Sequence, residues 1–496
     1  MNIRLLICLI LVTGFFSSCE KWLEVEPESE IAAPILFSTE NGFMEAINGV
    51  YNRSTESDLY GKELTFGTTE VLAQNFSMRD DGQDYRQTSL YNYKHGEFIK
   101  RKDKIWAGLY NSIVNCNLIL ENVDAKRNVF TGSNYAIVKG EALALRAYLH
   151  FDLLRLFAPS YLRNPSAKGI PYANKYTKEI TPVSSVTETI DLIIKDLEES
   201  KQLLAVDPIR SAGYIVNYPL VTDSLKNTEE KNASLFLQNR RHRMNYYAVC
   251  GTLARVYLYK NDKVKALSNA KEVIDSKKFP WTAKSDFEAF EDSKKDRILY
   301  KELVFGWYIP GAAKEIKDNW FQSGTRGFHL IEDAADYIYE KATAGASDSR
   351  YKYWLSSTST QSSRSYDIVK YRRNPLSTEA TANLHYLMAP AIRLSEMYYI
   401  AAECSYSSNA ATAVNYLKQV REARQIGDPL SINSEEDLLK ELLKDARKEW
   451  LAEGQLFYMY KRLNRGIVGQ TGVIIPPSDN IFVLPLPNDE IVYGGR

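Results

Sequence analysis

Charge of one sign is missing from this chain: Lys and Arg number 62, and Asp and Glu number 62. No net field draws it to nucleic acid or to an anionic lipid surface, so no nucleic-acid partner is expected. Histidine is scarce as well. The five, at positions 95, 150, 242, 329 and 385, form no HxxxH or HExxH pair, the spacing that sets two imidazoles on one helix face for zinc. GxSxG, GxxxxGK[ST] and GxGxxG do not occur, so hydrolase, P-loop and dinucleotide chemistry lack their usual backbone supports. No segment reaches the roughly 18 uninterrupted apolar residues that mark a spanning helix. A glycosidase needs only two carboxylates, about 5 or about 6.5–9.5 Å apart. Any chain this acidic contains such a pair, but no barrel pattern is present to hold one, so no catalytic residue is assigned and no enzyme is expected.

Aromatics are abundant. There are 33 Tyr, 19 Phe and 7 Trp, 12% of the 496 residues, with tyrosine well ahead. Tyrosine joins an apolar ring to a polar tip and suits flat, wet contact surfaces. A hydrophobic share of 45% supports a large core and excludes a disordered chain.

Residues 1–18 read as a signal peptide: Arg4, an apolar run over residues 5–16, then Ser17 and Ser18 before Cys19. The run is too short to cross a hydrocarbon core of about 30 Å. A cysteine directly after small residues resembles a bacterial lipoprotein signal, in which the thiol takes a diacylglyceryl group. Cys19 is therefore the expected lipidation site, and acyl chains worth about 0.8 kcal/mol per buried methylene would hold the protein on a membrane. A charged tether over 19–30, broken by Pro27, leads to a single body over 31–496. With Cys8 and Cys19 removed, Cys116, Cys250 and Cys404 remain in apolar helical contexts without CxxC spacing and read as buried free thiols.

Helical periodicity dominates that body. Phe43, Ile47, Val50 and Tyr51 share one 3.6-period face behind a Ser38 or Thr39 cap. Residues 53–100 lose the pattern and read as a long ordered loop. Helices are expected over 103–122, 133–157 and 186–204, the second apolar on nearly every side, so its Arg146, Asp152 and Arg155 need ion-pair partners. Over 246–276, Leu253, Ala254, Tyr257, Ala266 and Ala270 stand at tetratricopeptide spacing, and 394–424 repeats it with Ile400, Ala401 and Ala413. With two expanded pairs this makes about four helix-pair units, placed at 38–157, 186–204, 245–276 and 388–464. Residues 277–385 interrupt them as an irregular insertion with short strands. Ser434, with Asp437 at the capping-box position, opens a long helix through Leu463, with Gly454 inside it permitting close helix contact. The fold class is mainly α: four helix pairs forming one body with a loop-rich, minor-β face.

Several segments, in order along the chain, resemble the SusD/RagB-like outer-membrane lipoproteins of Bacteroidetes. They are WLEVEP (22–27) after the lipid cysteine, EAINGVY (45–51), LRAYLHFDLLRLF (145–157), IRLSEMYYIAAE (392–403), EGQLFYMYKRL (453–463) and LPLPNDEI (484–491). Each is weak alone, and their shared order is what makes the resemblance specific. Met459 departs from an acidic residue common in the family, and the YGGR end departs from its usual Asn-Pro. The resemblance implies a tetratricopeptide-like body tethered on the outer membrane and facing the cell exterior. It implies a lid on a SusC-like TonB-dependent β-barrel transporter, capturing oligosaccharides or sometimes peptides for import.

A sugar site needs flat aromatic faces for the apolar side of a pyranose, with Asp, Asn and Arg beside them for its hydroxyls. Two regions carry that mixture. Within 75–95 stand Arg79, Asp80, Asp81, Tyr85 and Tyr91, and within 281–328 stand Trp281, Trp307 and Trp320 among Asn, Gln, Ser and Gly. The family resemblance places its ligand on loops in both regions but transfers no individual residue. The bland alternative is that these aromatics brace long loops. Asp80, Asp81 and Asp84 are a candidate seat for calcium without the full loop pattern, and no cofactor is otherwise expected. A basic set at Arg447, Lys448, Lys461, Arg462 and Arg465 reads as a solvated face. The alternative function is a peptide-binding or scaffold lipoprotein with the same helical body.

Overall fold

The computed structural model describes residues 34–78, 85–219, 221, 223, 225–290, 295–312, 316, 327–359, 364–371 and 387–495. Helix α1 (Glu40–Ser54) begins where the Thr39 hydroxyl accepts the Gly42 N–H at 3.2 Å, and it buries Phe43, Ile47, Val50 and Tyr51. Helix α2 (Gly96–Val123) starts ahead of its apolar stripe because Phe98 stacks on Tyr93 at 4.5 Å and Lys102 is buried, donating to the Leu486 carbonyl. Helix α3 (Asn134–Phe157) is buried along almost its whole length. Its Arg146 donates to both oxygens of Asp196 at 2.7 and 2.8 Å, tying it to α4 (Val186–Leu203). Asp152 accepts the Tyr60 hydroxyl at 2.6 Å and pairs with Arg155. The charges inside this apolar helix are thus structural pairs.

Helices α5 (Tyr246–Tyr259) and α6 (Lys263–Asp275) follow, capped by Asn245 and Asp262. The irregular region then supplies β1 (Leu303–Tyr308), β2 (His329–Ile331), α7 (Glu332–Ile338), β3 (Leu355–Ser359) and β4 (Arg364–Ile368). Strand β5 (Met388–Arg393) pairs antiparallel with β1, and β4 lies between β2 and β3. Helices α8 (Leu394–Ser405), α9 (Ala410–Ala423), α10 (Glu435–Glu449) and α11 (Leu456–Leu463) precede a small hairpin, β6 (Ile467–Val468) with β7 (Ile474–Ile475).

Packing follows chain order. α1 lies on α2, α2 on α3, α3 on α4, α4 on α5, α5 on α6, α6 on α8, α8 on α9 and α9 on α10. Each helix buries its stripe against its neighbours, as repeat units must. Ala254, Ala266, Ala270, Ala401 and Ala413 are fully buried, so backbones approach closely where the small residues recur. The mainly helical architecture with a minor-β face is the one the periodicity predicts. Cys116, Cys250 and Cys404 are free and buried, and burial pushes each thiol up to about 12, which leaves them unreactive.

One helix departs from expectation, and the basic set at its end is not a solvated face, since Arg447, Lys448 and Lys461 are buried. The helix opened by Ser434 does not run through Leu463, and Gly454 is not inside a helix. The chain breaks after Glu449, with Ala452 and Gly454 at φ 62° and 72°. The buried Glu70 carboxylate pins the break, accepting the Ala452 N–H at 3.0 Å and the Gly454 N–H at 2.7 Å. A Cβ at Gly454 would lie 2.3 Å from the Leu64 carbonyl oxygen, so this turn admits only glycine.

Beyond α11 the tail is fastened by Lys461, which donates to the Arg155 and Phe482 carbonyls at 2.6 and 2.7 Å. Burial pulls this ammonium down to about 7 from 10.5, with Asp479 opposing the shift. Between those values the unfolded chain holds a proton that the folded one has released, so folding stability rises with pH. The wild type should therefore gain on a Lys461→Met variant by up to about 1.4 kcal/mol per pH unit from pH 7 to 9. Urea melts at several pH values read this directly, and a gap independent of pH would refute it.

Candidate functional site

Residues after α1 form a chain of tight turns rather than a slack loop. At their centre is Glu63, whose carboxylate accepts the Thr68 hydroxyl at 2.5 Å and the Tyr85 hydroxyl at 2.6 Å. Burial opposes its charge, but Lys62, Arg101 and these hydrogen bonds outweigh it and hold the carboxyl below its usual range. Tyr85 is buried by this arrangement: Arg101 lies over its ring at 4.2 Å and Phe328 meets its edge at 5.2 Å.

Phe328 belongs to the second candidate region, and the contact is part of a junction. Ser77 N–H donates to the His329 carbonyl at 2.8 Å, and His329 N–H returns to the Ser77 carbonyl at 3.3 Å. Phe76 stacks on Phe328 at 4.6 Å. The Ser77 hydroxyl accepts from Ile331 N–H at 3.2 Å and donates to Gln470 Oε1 at 2.6 Å, while Gln470 Nε2 donates to the Phe76 carbonyl. Three stretches far apart in sequence thus meet: the start of the 75–95 region, the end of the 281–328 region and the β6–β7 turn.

The candidate residues fare differently around this junction. Tyr91 is half-buried in left-handed backbone (φ 55°), donating to the Leu72 carbonyl at 2.8 Å and accepting from Gln74 at 3.3 Å. Trp281 joins the helical body instead, 5.1 Å from Tyr398 of α8 and beneath Arg424. Trp307 is 1% exposed. It stacks on Tyr60 at 4.4 Å, with Phe305, Tyr148 and Tyr51 around it. The expectation that Tyr85 and Trp307 face a ligand is therefore corrected: Glu63 and Arg101 enclose one ring, and an aromatic cluster encloses the other. Tyr308, the next residue along β1, is 53% exposed instead, because alternate strand residues point to opposite faces. Cys19, Arg79, Asp80, Asp81, Asp84 and Trp320 lie outside the described residues.

A cleft of about 780 Å³ lies beside this face, between α7, α10, α11 and the β6–β7 hairpin. That is within the about 300–1,000 Å³ typical of small-molecule sites. Tyr337 and Tyr460 line it, with Arg447 among its walls. Gly472, at φ 86°, leaves room for the Tyr337 ring, since a Cβ there would sit 3.2 Å from it. Arg447 donates to the Gln74 carbonyl at 3.0 Å and to Asn75 Oδ1 at 3.3 Å, joining the cleft to the segment that carries Ser77. Neither Tyr337 nor Gln470 carries a sequence signal, since each acquires its place from partners more than a hundred residues away.

Comparison with known proteins gives a consistent picture. A family model described as "SusD family" matches residues 217–472, and one described as "Starch-binding associating with outer membrane" matches residues 21–213. SusD-like protein P38 of Formosa agariphila is 23% identical over 94% of this chain and 92% of its own length. SusD-like protein P25 of the same organism is 26% identical over 32% of each chain. Among solved structures, a SusD-like carbohydrate binding protein from Bacteroides vulgatus superposes with TM-score 0.69 at 19% identity, covering 92% of this chain and 96% of that one. A SusD superfamily protein from Bacteroides thetaiotaomicron gives 0.68 at 19% identity, over 91% and 97%.

Proposed function

Because this chain belongs to the SusD family, we propose that it is a cell-surface glycan-binding lipoprotein of the outer membrane. In this reading it captures oligosaccharides and delivers them to a TonB-dependent β-barrel transporter, without acting on them as an enzyme. One observation carries the glycan assignment beyond the family: the Ser77–His329 junction brings together the two polar, aromatic regions whose composition suits sugar. Family support for carbohydrate as ligand and for the outer membrane as location comes from the matched description. Cys19, after a signal-like run, would supply the anchor.

The test is recovery of the lipidated full-length protein from its native outer membrane in mild detergent. A near-stoichiometric TonB-dependent barrel is expected in the same fraction, and a Cys19→Ser variant is expected to leave the membrane. Recovery of the protein alone, under conditions that keep other membrane complexes intact, would refute delivery to a transporter and favour a free-standing peptide-binding or scaffold role.

A further inference from the structure

The cleft between α7, α10 and α11 has a charge pattern that the proposed function does not require. Among the residues lining it, Lys440, Lys444, Arg447 and Arg465 are cationic and only Glu340 is acidic. Glu340 is itself committed, pairing with the buried Lys448 and lying 3.4 Å from Lys444. Glu436 is taken by Arg465 and Lys440. Arg447 is the anomaly. It is 5% exposed, and among the described residues no carboxylate lies within ion-pair distance of it. Its acceptors are neutral: the Gln74 carbonyl at 3.0 Å, the Gly469 carbonyl at 3.3 Å and Asn75 Oδ1 at 3.3 Å. Charge-assisted bonds to an anion run about 2.7–2.9 Å, so all three are longer than that. Glu70 reaches it only through Asn75, whose Nδ2 donates to the Glu70 carboxylate at 2.8 Å. A buried cation with no direct ion-pair partner is costly, and a charged group of this kind lining a cleft marks a candidate binding site.

The rest of the cleft says what would carry that anion. Tyr337 is 48% exposed and offers a ring face, Tyr460 offers a second aromatic wall, and Leu443 and Leu463 close the apolar side. A flat apolar face beside a fork of charged donors matches a pyranose that bears a carboxylate or sulfate. We infer that this cleft binds an acidic saccharide, with Arg447 gripping its anionic group, Lys440 and Lys444 at the rim, and Tyr337 stacked on the sugar ring. The inference rests on the glycan-binding reading and narrows it to the acidic class.

The test uses the full lipidated chain in detergent with three probes: galacturonic-acid oligomers, sulfated galactan oligomers and neutral galactan oligomers of matched length. Acidic oligomers are expected to bind with salt-sensitive affinity and to slow acetylation of Lys440 and Lys444. Carboxylated and sulfated probes show which anion is preferred. Tyr337→Ala, at an exposed position, should weaken acidic binding at least about tenfold, and Arg447→Gln should weaken it by about 10- to 100-fold, the usual worth of a hydrogen bond to a charged group. Because Arg447→Gln also loosens the Gln74 and Gly469 contacts, a melting curve accompanies it, and Tyr337→Ala carries the test if that variant does not fold. Binding of neutral oligomers alone, or acidic binding that leaves both lysines equally reactive, would overturn the cleft assignment while glycan binding stands. Failure of all three probes would overturn the acidic-saccharide inference and leave the glycan-binding reading, which does not depend on this cleft, standing; the transporter recovery above tests delivery separately.

Discussion

Replacing Glu449 with Gln is expected to remove about 3–5 kcal/mol of folding stability, the usual cost of breaking a buried ion pair from one side. The residue is fully buried at the end of α10, where three guanidinium groups converge on its two oxygens. Arg350 donates to Oε2 at 2.8 Å, Arg424 to Oε2 at 2.9 Å and to Oε1 at 2.6 Å, and Arg393 to Oε1. Each arginine has a further partner: Asp348 and Asp445 for Arg350, Glu302 for Arg424, Glu453 for Arg393. Burial works against the Glu449 charge, but Arg424, Arg393 and Arg350 outweigh it and hold the carboxyl well below 4.5. The sign of the pH dependence follows. A depressed carboxyl contributes stability that is present above its unfolded value and lost as pH falls through the folded one. The wild type should lose its advantage over Glu449→Gln in acid, below about pH 4.5. Urea melts at pH 7 and pH 4 measure both, and a loss below about 1 kcal/mol at pH 7 would show that the cluster is not a stabilising hub.

Trp307→Ala is expected to cost about 3–5 kcal/mol through the cavity it opens, and to lower ligand binding only by unfolding the protein. The ring lies parallel to Tyr60, at 10° and 4.4 Å, and the Tyr60 hydroxyl is held by Asp152 of α3. Emptying this site would loosen β1, α1 and α3 together. The informative partner is Trp307→Phe. Among the described residues the indole N–H has no hydrogen-bond partner, so a phenyl ring keeps the stacking and discards an unsatisfied donor. It should cost less than about 1.5 kcal/mol and leave glycan affinity unchanged. A folded Trp307→Phe protein that no longer binds would place Trp307 at the ligand after all. Differential scanning calorimetry paired with affinity electrophoresis separates the two outcomes.

These corrections show where sequence reasoning stops. The first faces of α1 and α5, the caps at Thr39 and Ser434 and the need for partners at Arg146 were legible, because they depend on residues a few positions apart. The break at Gly454 was not, because it is imposed by Glu70, and a helical pattern on both sides concealed it. Aromatic composition singled out two regions but could not separate a ring facing solvent from one enclosed by distant partners. Tyr85 is buried by Glu63 and Arg101, while Tyr308 stays exposed beside the enclosed Trp307. The basic set around Arg447 read as a solvated face because helical spacing cannot reveal that Lys448 is sealed against Glu340 while Arg447 faces only neutral acceptors.

The bond between Ser77 and Gln470 bears on how such a chain is completed. A chain emerges from the ribosome with its early residues first. Ser77 therefore waits for His329 and then for Gln470 before its turn is complete. Contacts this distant in sequence form late. A chain interrupted before Gln470 would still carry most of its helices, yet the turn at Ser77 would lack its last partner. Completion of the polypeptide thus doubles as a check on the fold, since an incomplete copy would hold its early residues and its insertion without the segment that fastens them together.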